Sequence, residues 1–457
     1  MSPTDLKTNI CLLALTAMVA APLSSAIAQT LTPPPTTIVL TRSLAKYLDP
    51  TGGITVDQLV RKALEANGEL IAMRREVEAG EALIQQARLR PNPSVDLSGA
   101  RQIGGSDNSL MVQGELPLEL GGRRSARIRV AERELEIRRH ASAERERQIA
   151  AEVRSKFGEA LAAGVKLNFT EEVIEHAKEN FELVAARVTE GRRPPLEQSM
   201  EAVELNRMRA MRETAEGAVE MRMFELRNLV GMTPEEPLRI TGDFASLLDP
   251  VPPQEIATAQ ALQTRPDLAG ARAVEQLAAA RIEQARAEGR IDADVMLGYQ
   301  RMRSGFPLLG IQESTGALLP IESRFHFFTF GVKLNLPVRN RNQGMIAAAR
   351  LDADAARSRR EFGELTVRRE IASAYARYNR ALRAVEIYRV GVRDQAAINL
   401  DVVRQTYELG SKTLLDYIAE HHRYLETEIG YIDAQLEAYL ARVEVLRAVY
   451  AAELVNK

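Results

Sequence analysis

The side chains with the widest chemical reach in this sequence, five histidines and one cysteine, are scattered. His421 and His422 form the one adjacent pair, but sequence neighbours point to different sides of a helix, unlike the i,i+4 ligands of a helical metal site. His422 falls on an apolar heptad seam extended back from Leu425, which suits packing or hydrogen bonding. His140, His176 and His326 are isolated. No HExxH, GxSxG, phosphate-binding loop or GxGxxG between a strand and a helix occurs. The many Glu and Asp residues read as solvated helix faces with Arg partners, as around Arg133 with Glu132 and Glu136. No residue set suggests catalysis, a cofactor or a bound metal, so the chain reads as non-enzymatic.

Two spacings stand out instead. Gly191 is followed six residues later by Glu197, and Gly410 six residues later by Asp416. A glycine that ends one helix and an acid in the first turn of the next satisfy orphan carbonyls and the helix dipole. Capping alone would account for both acids.

These turns belong to an internal repeat. Leu116 to Arg133 and Leu334 to Ala353 each carry an alternating segment, a proline, a Gly/Arg/Asn turn and a long helical run, with Pro117 matched by Pro337 (337 − 117 = 220). From Arg123 to Val188 there is no proline in 66 residues, and Gly344 to Leu409 repeats that count. Such a run makes a helix of about 100 Å. Ile174, Ala177, Phe181, Val184 and Val188 form one coiled-coil seam, and Leu425, Ile429, Ile432, Leu436, Tyr439, Val443, Leu446 and Tyr450 form another.

Before each long run come two short alternating strands. Val95, Leu97 and Gly99, then Leu110, Val112, Gly114, Leu116 and Leu118, alternate with polar residues. Val295, Leu297 and Tyr299, then Phe328, Phe330, Val332, Leu334 and Leu336, do the same. Half-exposed strands of a soluble hairpin and strands of a membrane barrel share this pattern. About twenty extra residues in the second copy fall in Arg301 to Arg324, where a barrel would place a long outer loop.

The N-terminus reads as a secretory signal over 1–28: Lys7, an apolar run from Ile10 to Ala21, and Ala26-Ile27-Ala28 as a small-x-small cleavage site. Cys11 lies inside it, so the mature chain would have no thiol. A Pro-rich linker (29–53) precedes the first repeat at 54–233, with strands near 93–102 and 109–118 and a helical tip near 189–197. A connector (234–253) leads to the second repeat at 254–457, with strands near 292–301 and 325–337 and a tip near 408–416. A net charge of −2 disfavours nucleic acid as a partner. No segment approaches ~20 uninterrupted apolar residues.

Four strands cannot close a barrel, which takes roughly eight, and open edges in lipid are prohibitively costly. Membrane-embedded hairpins would therefore need other copies of the chain. Helices that long also need partner helices along their length. The fold class is mostly α with a small β part: a tandem repeat of long coiled-coil helices and β-hairpins.

With that plan, the chain resembles the outer-membrane efflux protein family of TolC-like channels over nearly its whole mature length. Leu118-Glu119-Leu120-Gly121-Gly122-Arg123-Arg124 with Ala126-Arg127-Ile128, and Arg341-Asn342-Gln343-Gly344, look most like the CzcC-type branch serving heavy-metal efflux. The resemblance implies a homotrimer in the outer membrane lipid, in which three sets of four strands form a 12-stranded β-barrel continued by an α-helical tunnel in the periplasm. It implies passive conduction of substrates, heavy-metal cations in this branch, with a periplasmic adaptor protein and an inner-membrane RND-type pump as partners. It also implies that the Gly191 and Gly410 tips dock the adaptor. Tyr407, Lys412 and Glu197 match a tyrosine, a base and an acid that tie the entrance helices shut, and Asp416 an acid of the constriction ring. Where the family places a second ring acid, this chain has Ala419. Rival readings are multidrug or protein export through the same channel fold, and a periplasmic coiled-coil adaptor or scaffold.

Overall fold

A computed structural model describes residues 44–455 of the chain. The expected signal peptide and residues 29–43 of the expected linker lie outside the described residues.

The Thr55 hydroxyl accepts from Gln58 N in a capping box that starts α1 (Val56–Ala66), and Asn67 caps α2 (Gly68–Arg88). A hairpin of β1 (Ser94–Arg101) and β2 (Asn108–Pro117) follows, then α3 (Arg123–Thr189) and the returning α4 (Pro195–Val230). After the short α5 (Phe244–Leu247), the chain makes a second pass. It runs through α6 (Gln254–Thr264), α7 (Pro266–Glu288), β3 (Asp292–Ile311), β4 (Leu318–Asn335), α8 (Gln343–Ile387), α9 (Arg393–Glu408) and α10 (Leu414–Val449), ending in α11 (Ala452–Val455). At 67 residues α3 is about 100 Å long.

Two expectations need correction. The second proline-free run is not one helix: a π-turn over Tyr388–Val392 separates α8 from α9. Val390, Gly391 and Val392 are poor helix formers there, so the ladder yields at that point. The extra residues of 301–324 are not a loop either. They lengthen β3 and β4 to 20 and 18 residues, leaving only a tight turn in which Gln312 N donates to Ala317 O. The pairing shifts register between Phe306 and Leu309, a bulge at Pro307, which has no N–H to give the ladder.

The four strands form one antiparallel sheet in the order β1-β2-β3-β4. Register brings the four apolar alternations onto one face: Leu97 lies opposite Val112, Val112 opposite Tyr299, and Tyr299 opposite Phe328. That face is bare, with Phe328 80% and Phe330 85% exposed. The other face carries Asp96, Gln113, Glu115, Asp294 and Lys333, with Lys333 bonded to Glu115. Among the described residues, β1 and β4 each leave one edge unpaired.

The two corner motifs join sheet to helix. Gly121 and Gly122 take φ of 74° and 84°, and Asn342, the repeat counterpart of Gly122 (342 − 122 = 220), takes 62°. Arg127 grips Glu119 through two bonds of 2.6 and 3.2 Å and also donates to the Ala87 and Leu89 carbonyls. Arg123 pairs with Asp292 at 2.7 Å. The arginines of the motif thus hold the strand-to-helix angle.

Burial on both sides makes α10 the central helix. Ile432, Tyr439, Val443 and Leu446 pack with Phe157, Leu161, Met223 and Leu226 of the first repeat. Ala438, Ala441, Val445 and Val449 pack with Ile371, Tyr375 and Tyr378 of the second.

Candidate functional site at the paired helical tips

The two long hairpins end in matching turns. Gly191 and Gly410 take φ of 72° and 77°. At the first, Gly191 N donates to Val188 O and Arg192 N to Arg187 O; at the second, Gly410 N donates to Tyr407 O and Ser411 N to Thr406 O. Both are Schellman caps, which a left-handed glycine makes without strain.

Beyond the glycines the tips diverge. Position 194 is proline where the second tip has Thr413 (413 − 194 = 219). Thr413 closes a capping box: its hydroxyl accepts from Asp416 N at 3.2 Å, and the Asp416 carboxylate accepts from Thr413 N at 3.0 Å. These bonds hold the Asp416 carboxyl below the usual carboxylate range. Pro194 offers no hydroxyl and no N–H, so Glu197, the counterpart of Asp416 (416 − 197 = 219), is left free to reach elsewhere.

Glu197 reaches the other tip. Its Oε2 accepts from the Tyr407 hydroxyl at 3.0 Å, and its Oε1 lies 3.4 Å from Arg193 Nη1. The Arg193 guanidinium sits 4.7 Å over the Tyr407 ring and its Nη2 lies 3.5 Å from the Tyr407 carbonyl oxygen. Burial, then the Glu197 carboxylate, pushes the Tyr407 phenol up to about 12. The phenol is therefore a fixed donor. Tyr407 stacks on Tyr417 with ring centroids 5.9 Å apart, Tyr417 stacks on His421, and Asn180 of α3 donates to the Tyr417 hydroxyl. Burial lowers the His421 pKa.

One and two turns along α4 from Glu197, Glu201 and Glu204 are 5% and 8% exposed. They are a correction to the reading of acidic residues as solvated faces. Glu204 Oε1 lies 2.6 Å from His422 Nε2, and Arg207 reaches the same ring. Burial, reinforced by Glu204 and Glu197, raises the Glu201 carboxyl to about 7.

Of the residues picked out from sequence, the structure joins Tyr407 to Glu197 and engages Asp416 in its own helix cap. Lys412 is exposed, and among the described residues its side chain makes no hydrogen bond or ion pair. The base beside Tyr407 is Arg193, a residue outside the set expected from sequence. The signal is present there, because Arg193 is the repeat counterpart of Lys412 (412 − 193 = 219). Among the described residues, no group of three or more His, Cys, Asp or Glu side chains converges as a metal site. No described helix is long and apolar enough to cross a membrane.

Comparison with known proteins agrees with the two-pass architecture. A family model described as outer membrane efflux protein matches residues 59–232 and 257–449, one stretch in each pass. The cobalt-zinc-cadmium resistance protein CzcC of Cupriavidus metallidurans is 24% identical over 401 residues, 87% of this chain and 90% of the relative. The crystal structure of CusC, 17% identical, superposes with a TM-score of 0.70 over 86% of this chain and 91% of that one. The open state of the MtrE outer membrane channel of Neisseria gonorrhoeae, 18% identical, gives 0.67 over 86% and 88%. With both of its passes matched, the chain belongs to the outer membrane efflux protein family.

Proposed function

We propose that the chain is the outer-membrane channel of a tripartite efflux system and passively conducts heavy-metal cations from periplasm to exterior. It works as a homotrimer, with a periplasmic adaptor and an inner-membrane RND-type pump as partners. The observation that carries this reading is the open sheet: one face bare and apolar, both edges unpaired, both hairpins feeding very long helices. Three such sheets joined edge to edge make a 12-stranded barrel without open edges. Exposed apolar residues on α8 and α9, among them Leu351, Phe362, Leu365, Ile398 and Val402, call for neighbouring helices along the tunnel. The metal class is supported by the similarity to CzcC, a cobalt-zinc-cadmium resistance protein.

In this reading the mature chain follows a signal peptide at 1–28, and repeats at 54–233 and 254–457 are joined by the connector at 234–253. The paired tips form the periplasmic entrance. Glu197, Tyr407 and Arg193 clamp its two hairpins together, Lys412 and Asp416 face the passage, and the Gly191 and Gly410 turns meet the adaptor.

A deletion strain tests the function on plates containing zinc, cobalt, nickel, cadmium, copper or silver, beside dyes and antibiotics. Sensitisation to metals alone is expected. Sensitisation to organic compounds alone would keep the channel and overturn the cargo. A protein extracted without detergent would favour the adaptor or scaffold reading.

A further inference from the structure

The outward face of the sheet changes character near the β1–β2 turn, before the extension of β3 and β4 that carries exposed Leu309, Ile311 and Leu318. Moving from the helices towards the turns, rows of opposed residues run Leu116, Val295 and Val332; then Val95, Gly114, Leu297 and Phe330; then Leu97, Val112, Tyr299 and Phe328. The next row is Gly99, Leu110, Arg301 and His326, and the one after it Arg101, Asn108, Arg303 and Arg324. Side-chain contacts fix the join between the two zones on one face. The Tyr299 hydroxyl lies 2.7 Å from His326 Nδ1, and the Tyr299 ring lies 5.2 Å from that of Phe328.

Four guanidinium groups and an imidazole therefore sit directly beyond the apolar band; Glu322 pairs with Arg303, and Asp107 at the β1–β2 turn accepts from Gly305 N and the Ser304 hydroxyl. Among the described residues, Arg101, Arg301 and Arg324 make no ion pair, and Arg101 and Arg301 are exposed. The opposite face at the same height carries Ala100, Ser109, Met302 and Phe325, then Ser98, Met111, Gln300 and Phe327, with no charge. The basic charge is one-sided, and the next inner row, at Ser304, holds the acid Asp107. A belt serving solubility or the aqueous passage would have no reason to avoid the inner face.

We propose that this belt binds the phosphate groups of an anionic glycolipid in the outer leaflet of the membrane. The proposal rests on the channel reading, because that reading puts the helices in the periplasm and the hairpin turns outside. Heights agree: the first basic row is two residues past Phe328, about 7 Å along a strand, where polar headgroups succeed the hydrocarbon core. Guanidinium forks match phosphate oxygens two at a time. Arg101 and Arg324 lie on the two edge strands, so the belt continues from copy to copy around a closed barrel.

The test uses the full-length trimer in detergent, with bisphosphorylated lipid A and its dephosphorylated form as probes, read by native mass spectrometry. Expected are retention of the phosphorylated lipid, a drop on the order of tenfold on removing its phosphates, and a similar drop in a combined Arg101→Ala, Arg301→Ala, Arg324→Ala variant. The matching Arg→Lys variant should recover part of the binding, and the comparison of the two lipids on the unaltered protein needs no variant at all. Equal retention of both lipids by a trimer that conducts normally in planar bilayers would overturn the proposal alone. A chain that neither inserts nor conducts would overturn the channel reading and the proposal with it.

Discussion

The Tyr407 hydroxyl donates a 3.0 Å hydrogen bond to Glu197 across 210 residues, tying the tip of the second long hairpin to that of the first. Because Tyr407 is buried and its phenol is held protonated, the hydroxyl stays a donor in this bond.

If the paired tips form the entrance proposed above, removing that hydroxyl should loosen it. Tyr407→Phe deletes a hydrogen bond to a charged acceptor, a loss of roughly 1.5–3 kcal/mol, while Arg193 remains to keep Glu197 from being stranded. Single-channel conductance in planar bilayers is expected to rise, with the melting temperature changed by only a few degrees. Conductance equal to that of the unaltered protein would remove Tyr407 from the gate.

Lys412→Ala separates the expectation drawn from the family resemblance from the one the geometry supports. The clamp contains Arg193, which pairs with Glu197 and covers the Tyr407 ring, whereas the exposed Lys412 side chain bonds to neither. Arg193→Ala should raise conductance more than Lys412→Ala does. The opposite order would return the role of the closing base to Lys412, acting on a neighbouring copy.

Pro194→Thr should show that the missing cap is what frees Glu197. It restores the Thr-x-x-acid spacing of the second tip. The Glu197 carboxylate then gains a local donor in the new backbone N–H at position 194, and its own N–H gains the new hydroxyl as acceptor. The first turn of α4 should gain about 1 kcal/mol from this cap. The clamp should weaken as Glu197 turns away from Tyr407. A higher conductance together with an unchanged or higher melting temperature is the expected pair, and lower stability with unchanged conductance would reject the competition.

Much of this was legible in the sequence, and the parts that were not share a cause. Period-2 alternation in Leu110–Leu118 and Phe328–Leu336 forecast one apolar and one polar sheet face, because a half-exposed strand must alternate whatever its partners. The Gly191 and Gly410 turns were legible because a left-handed cap leaves little choice of residue. Glu201 was not. Its burial depends on side chains of α9 and α10 reaching α4, as Tyr407 and His422 do, a long-range fact that leaves no mark on an acidic residue in an amphipathic helix. The long β3–β4 hairpin was missed because Pro307 and Pro320 signal a loop unless a bulge absorbs them.

Glycine substitutions give a direct check of the helix crossings. A methyl at Gly158 of α3 would overlap the buried ring of Tyr439 on α10, so Gly158→Ala should cost about 1–3 kcal/mol. At Gly217 of α4 the added methyl meets nothing within 4 Å, and the substitution should stabilise the helix by about 0.5–1 kcal/mol. Thermal unfolding of the two variants in detergent should therefore shift in opposite directions. A neutral Gly158→Ala would show that α10 does not cross α3 at this point.

Glu201 makes the tips sensitive to pH. Its carboxyl titrates near 7 in the folded chain against 4.5 for the exposed group. A raised pKa means that the folded state holds this proton more tightly than the unfolded one. The contribution to stability is therefore complete below about pH 4.5 and is lost as pH climbs through 7. Ionised Glu201 would face Glu197 and Glu204 on its own helix, with Tyr407 from α9 and Tyr417 from α10 as its other titratable neighbours. Lost hydration in this buried position, and after it the charges of Glu204 and Glu197, make the ionised state costly, by on the order of 3 kcal/mol for such a shift. Hydrogen exchange at the first turns of α4 should accelerate between pH 6 and pH 8 beyond the intrinsic base-catalysed rise. Glu201→Gln, which mimics the protonated acid, should remove that excess. An excess that survives in the Gln variant would place the titrating group elsewhere in the cluster, with His422 and Glu204 the next pair to substitute.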